Sequence, residues 1–207
     1  LCCNTIMALE AERGGSLFYS FTVDARAARH LTPALGFCET KEAVMKDQFR
    51  YKAWANSEIL DALAKVDEAL YPEQWKLAVR LMNHTYVVDR IFAAHLSGME
   101  HQFQDTNTPE TPTVDQLGKN ISESDAWYLH HVGQLDHGKL KESISFTFTD
   151  GDKGTMTREE MLFHILAHGA YHRGNVGMVL SSCGINRPKD TFTRFLHLTD
   201  ASRRAQT

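Results

Sequence analysis

Three histidines, His164, His168 and His172, recur every fourth residue in HILAHGAYHRGN, a segment otherwise made mostly of Ile, Leu, Ala and Tyr. Neutral imidazole is a metal ligand, and helical residues four apart bring their Cβ atoms within about 5–6 Å on one face. His168 and His172 could therefore chelate one ion. His164 and His172 stand about 12 Å apart along a helix axis, too far to share it. A third ligand has to come from another segment. His84, in LMNHTYVV, sits in the middle of a second apolar run between Leu81 and Val88. His95 follows on the same stripe about 16 Å further along, which makes it the poorer candidate. The alternative reading is a group of histidines satisfied by hydrogen bonds inside a helical core, since a buried imidazole without a partner is costly.

Three neutral imidazoles without a carboxylate suit Zn²⁺, Ni²⁺ or Fe²⁺ better than Mg²⁺ or Ca²⁺. Three protein ligands leave a coordination position open, the arrangement of a catalytic metal, which could acidify a bound water or activate a thiolate. No general base announces itself. Glu160, two turns before His168, is the only carboxylate on that stripe. The Glu-x-x-His pairs of a ferritin-like di-iron centre are absent. Asn56, on the inner stripe of the first helix, could bond a buried backbone group or line the site. Asp89-Arg90 reads as a surface or interhelical ion pair, with Arg173 as a partner. His130, His131 and His137 read as surface residues, and Tyr86, Trp127 and Tyr171 as bundle aromatics.

The elements that must position these residues follow from hydrophobic period and end signals. Phe49, Ala53, Leu60 and Leu63 predict a helix from about Lys46 to Ala69, broken by Tyr71-Pro72. Leu77, Leu81, His84, Val88, Ile91 and His95 predict a second, from about Glu73 to Leu96, ended by Gly98. Residues 99–120 are polar and aperiodic and read as a long crossover. A third helix is expected from Ser122 to about Ser143, then a small β-hairpin in SISFTFTDGDKGTMT. Thr157-Arg158-Glu159-Glu160 is a capping box, and the fourth helix should run to about Cys183, where Gly184 and Pro188 stop it. Phe192, Phe195 and Leu196 could dock on the body. The expected fold is all-α: a four-helix bundle with one long crossover and a small hairpin before the last helix. It should occupy residues 45–197. Residues 1–44 read as an N-terminal extension, a processed or expression-derived leader, and 198–207 as a polar tail.

Composition narrows the function. In 207 residues the net charge is −4 and no long basic run occurs, which argues against nucleic acid as a partner. No apolar run approaches the roughly 20 residues that cross a bilayer, so no membrane partner is expected. Glu10, Glu12 and Arg13 stand where a signal peptide would be apolar, and four cysteines without a CxxC fit a reducing cytoplasm.

WANSEILDAL, NHTYVVDRIF and HILAHGAYHRGNVGMVLSSCG together resemble the DinB (damage-inducible) superfamily, relatives of the bacillithiol- and mycothiol-dependent S-transferases, over about residues 45–197. The resemblance implies a four-helix bundle, often a homodimer, with a divalent metal (zinc, nickel or iron) held by His84, His168 and His172. His164, Asn56, Asp89 and Arg173 would then border the site. The resemblance further implies a metal-dependent enzyme, a thiol transferase or hydrolase acting on a small molecule, with a low-molecular-weight thiol as a co-reactant. The catalytic residues stay unassigned. Two alternatives remain: a stress-response metal-binding protein without turnover, and a structural helical bundle. The family name records induction by DNA damage and implies no DNA binding.

Overall fold

A computed structural model describes residues 41–203. The expected N-terminal extension lies outside the described residues up to residue 40, as do Cys2, Cys3, Cys38 and the last four residues of the tail. The described chain is a bundle of helices with one two-stranded hairpin: α1 (Lys41–Leu63), α2 (Pro72–Ser97), α3 (Val114–Val132), the single turn α4 (His137–Leu140), β1 (Ser143–Thr147), β2 (Lys153–Thr157), α5 (Arg158–Ser182), α6 (Phe192–Thr199) and a final 3₁₀ turn (Ala201–Arg203). α2 lies against α5, and α1 against α3. The hairpin is antiparallel, with Ser143 opposite Thr157 and Thr147 opposite Lys153. No helix of the described residues is long and apolar enough to cross a membrane.

The element boundaries show which local signals dominate. α1 stops at Leu63 rather than Ala69, because the Asp67 carboxylate accepts the backbone N–H groups of Ala69 and Leu70 and folds that segment into a turn. Pro72 opens α2 as its first residue, where its missing N–H costs nothing. Gly98 closes α2 with φ 66°, its neighbour Met99 donating back to the Ala94 carbonyl. α3 starts at Val114 rather than near Ser122, because Thr113 and Gln116 form a reciprocal capping box. The expected crossover therefore shortens to residues 99–113. The Thr157–Glu160 capping box opens α5 as its sequence indicates.

Two apolar clusters form the core. One gathers Phe49, Phe92, Tyr128, Met161 and Ile165 near the hairpin, and the other gathers Ile59, Leu63, Met82, Ile121, Val176 and Leu180 at the opposite end. Between them lies a layer of buried polar side chains, at least one from each long helix: Lys52 and Asn56, Asp89, Asp125, Arg173. Lys52 Nζ donates to Asp89 Oδ2 and to Asp125 Oδ1, each at 2.6 Å. Asn56 donates to Asp125 at 2.9 Å and accepts from Arg173 Nη1 at 3.2 Å. Arg173 also pairs with Asp190 at 2.8 Å, and Tyr51 donates to the same carboxylate. Phe195 docks beside Tyr51 and Trp54, with ring centroids 6.0 and 5.9 Å away, and so seats α6 on α1.

This layer decides three expectations. Asp89 forms the interhelical ion pair and not the surface one, and its partner is Lys52 of α1, not Arg173. Arg173 takes Asp190 and Asn56 instead. Asn56 bonds side chains rather than a backbone group. Burial alone would push the Lys52 ammonium down, but Asp89 and Asp125 together hold it above its ordinary range. Burial pushes Asp89 up to about 6 against the pull of Lys52, so the carboxylate is still ionised at neutral pH.

Because one ammonium neutralises two buried carboxylates, Lys52→Met should leave both uncompensated and cost about 3–5 kcal/mol in urea unfolding. A loss below about 1 kcal/mol would show that water or a rearranged partner already satisfies the two acids.

Candidate metal centre

The buried line of α5 is Ile165, Gly169, Arg173, Val176 and Leu180. The histidine row is rotated by one residue from this line, so His164, His168 and His172 are half-buried on its flank instead of pointing into the core. α2 shows the same offset. Leu77 is 51% exposed and His84 half-buried, while Met82, Asp89 and Phe92 face inward. The two flanks meet along the α2–α5 seam. Gly169 lies on the buried line there, and a Cβ on it would crowd Arg173 Nη1 at 3.1 Å while making only an ordinary 3.9 Å contact with Thr85 Cγ2 of α2.

At this seam His84, His168 and His172 come together, each offering one ring nitrogen, with all three nitrogens within 4.8 Å of one another. The ring centroids are 4.9 Å (His84–His168), 4.8 Å (His84–His172) and 4.5 Å (His168–His172) apart, and each pair is inclined by 65–77°. His84 Nε2 lies 3.0 Å from His168 Nε2. His84 Nδ1 lies 2.7 Å from the Thr106 carbonyl. A carbonyl only accepts, so the proton is on Nδ1 and the Nε2 lone pair faces the other two rings. The Nδ1 atoms of His168 and His172 are buried and have no partner among the described residues.

His164 stands outside this group. Its ring stacks on Phe92 at 4.8 Å and on His168 at 5.3 Å. His95 is further along α2 and meets His101 at 5.3 Å. His130 and His137 are exposed, but His131 is half-buried and stacks on Trp127 at 4.7 Å, which corrects its reading as a surface residue. Glu160 is engaged as a helix cap, accepting from the Thr157 N–H at 2.7 Å. Asn56, Asp89 and Arg173 belong to the buried polar layer, with Arg173 next to His172 in the chain.

Burial, reinforced by His172 and His84, pushes His168 down to about 3. Burial and His84 lower His172, and burial lowers His164. These rings are neutral at pH 7, the form in which imidazole ligates. Sequence reading overlooked Lys52, Asp125, Asp190 and the Thr106 carbonyl. For Lys52 a signal existed: a charged residue three after Phe49 and four before Asn56, on the inner line of α1.

A family model described as "DinB family" matches residues 40–206. The chain is also similar to Protein DinB of Bacillus subtilis (strain 168), 24% identical over 166 residues, which cover 73% of this chain and 92% of that protein. No solved structure matches.

The depressed His168 gives the metal-free protein an acid sensitivity of definite sign. Between its folded value of about 3 and its ordinary 6.5, the unfolded chain binds the proton and the folded chain does not. Stability from this group is therefore fully present above pH 6.5 and declines as pH falls through that window. Asp89, raised from 3.8 to about 6, acts in the opposite sense below pH 6. Urea midpoints between pH 7 and 4 should decline less steeply in His168→Gln than in the wild type, a difference that cancels the Asp89 contribution. Parallel curves would contradict the neutral, desolvated His168.

Proposed function

The chain belongs to the DinB family, and from that premise we propose that His84, His168 and His172 bind a divalent transition metal in a metal-dependent enzyme acting on a small molecule. The observation that carries this reading is the convergence of three ring nitrogens with one lone pair already fixed. Ligands about 2.0–2.1 Å from one ion lie roughly 3–3.5 Å from each other. The 3.0 Å between His84 and His168 is of that size, and all three nitrogens fall within 4.8 Å. An all-imidazole donor set favours zinc, nickel or iron.

The chemistry such an ion supplies is acidification of a water or thiol at its open position. The chain's own contribution is orientation and dryness. Thr106 fixes the His84 ring, burial keeps His168 and His172 unprotonated, and the Phe92–His164 stack closes one side. No carboxylate joins the group among the described residues, and Glu160 is occupied as a cap. We propose thiol transfer or hydrolysis as the reaction, with a low-molecular-weight thiol as the first co-reactant to test.

Metal content of protein purified without a histidine tag tests the site. His84→Ala, His168→Ala and His172→Ala should each reduce affinity by more than the roughly 10–100-fold typical of losing a group that only orients a ligand. His164→Ala should keep most of its metal. Full retention in His84→Ala, or a larger loss in His164→Ala than in His172→Ala, would overturn the ligand set. Thiol consumption with electrophilic acceptors, abolished by His172→Ala, would establish turnover; metal binding without it would favour a non-catalytic protein.

We also propose a homodimer. α5 carries Phe163 (69% exposed), Tyr171 (67%) and Met178 (62%) on its outer face, with Ala167 and Gly174 between them and no charged side chain at these positions. Such a helix, apolar on both faces, is ordinarily covered. Light scattering at micromolar concentration should give twice the monomer mass, and Phe163→Glu with Tyr171→Glu should halve it. A monomeric wild type would refute this.

A further inference from the structure

The polar loop between α2 and α3 sits on α2 at the turn that carries His84. Its Thr106 carbonyl receives the His84 Nδ1–H at 2.7 Å. This contact decides the chemistry of the ring: with the proton on Nδ1, Nε2 has a lone pair to offer, whereas the opposite tautomer would present an N–H to His168. A loop without regular structure does not by itself hold a carbonyl to that accuracy. Two side chains of α2 hold it. Asn83, 1% exposed, donates to Thr108 Oγ1 at 2.7 Å and to Asn107 Oδ1, and Asn107 returns a bond to the Arg80 carbonyl at 3.1 Å. The Arg80 guanidinium donates to the Thr108 carbonyl at 2.5 Å and the Glu110 carbonyl at 3.1 Å. Every anchor lies within one helical turn of His84, and the anchored loop residues immediately follow Thr106. His168 and His172 have no such support, their Nδ1 atoms being buried without partners among the described residues. Of the three rings, His84 is the one whose tautomer the protein sets from outside the group.

We propose that Asn83 is a positioning residue of this centre: by clamping Asn107 and Thr108 it holds the Thr106 carbonyl on His84 Nδ1, and so fixes the tautomer and ring orientation in which His84 presents Nε2 as a ligand. The inference rests on the metal reading above for its consequence, but not for its first readout. The bland account is that these amides merely seat a polar loop on a helix. That account ties the loop's order to Asn83 but leaves the His84 proton where it is. The clamp account moves the proton, because once the carbonyl drifts the ring reverts to the Nε2–H form that free imidazole side chains prefer.

Long-range ¹H–¹⁵N spectra of the metal-free, full-length chain read the tautomer directly, and competition with a chromophoric chelator reads Zn²⁺ affinity. In the wild type, His84 should carry its proton on Nδ1. In Asn83→Ala the population should shift toward Nε2–H, and Zn²⁺ affinity should drop by about 10–100-fold, the usual effect of removing a group that orients a ligand. Asn107→Ala cuts the same clamp from the half-buried loop side and should reproduce both changes, which keeps the test decisive if Asn83→Ala does not fold. An unchanged His84 tautomer in the folded variants would overturn the proposal, as would a Zn²⁺ affinity within about twofold of wild type in a protein that binds the ion. A wild type that binds no Zn²⁺, Ni²⁺ or Fe²⁺, yet whose His84 tautomer follows Asn83, would overturn the metal reading and uphold the positioning role.

Discussion

One buried ammonium organises this bundle. Lys52 is 1% exposed and lies 2.6 Å from a carboxylate of α2 and 2.6 Å from one of α3. Taking three charges out of water costs several kcal/mol per ion, and close pairing recovers that only in good geometry. The layer is therefore better understood as a device of specificity than of stability. A hydrophobic core tolerates helices sliding or rotating past each other with modest loss, whereas a shared ammonium does not. Turning α2 by one residue would remove Asp89 from Lys52 and leave both buried. Arg173 extends the same constraint to α5 through Asn56, and Asp190 extends it to the segment that carries α6.

The histidine site depends on that constraint. Asp89 lies five residues after His84, and Arg173 directly follows His172. Fixing Asp89 and Arg173 in one layer fixes the depth and rotation of the two helices, and with them the meeting of His84 with His168 and His172. The rings occupy the flank of the seam because the inner line belongs to the charged layer and its apolar neighbours. This placement also gives the rings their half-buried state. His168 and His172 are desolvated enough to remain neutral. Gly169 contributes at the same level. It leaves room for the Arg173 guanidinium, which a Cβ at this position would crowd at 3.1 Å.

The loop over His84 adds a second layer of support, of a different kind. The charged layer sets where the helices stand; the Thr106 carbonyl sets how one ring is protonated. The former is rigid because desolvated charge tolerates no slack. The latter relies on neutral hydrogen bonds of a segment without helix or strand, each worth about 1 kcal/mol.

What the sequence determined by itself was local. Period and end signals indicated four long helices, the hairpin and the Thr157 cap, because these depend on residues within a turn or two of each other, though the third helix ends at Val132 and not near Ser143. The four-residue step from His168 to His172 already put two imidazoles on one face, and His84 was legible as the third partner from its mid-helix position. The same local logic failed where two caps competed, as at Thr113 against Ser122. The tertiary structure decided the rest. The histidine row of α5 stands one residue off its buried line, and a lysine, two aspartates and an arginine, polar by type, occupy interior positions. The partners of Lys52 are 37 and 73 residues away in the chain, and the Thr106 carbonyl that fixes His84 is 22 away. No pattern of neighbouring residues encodes a charge neutralised across three helices or a backbone oxygen set on a ring. Such contacts exist only once the helices have packed, and they are what turns three histidines at helical spacing into one site.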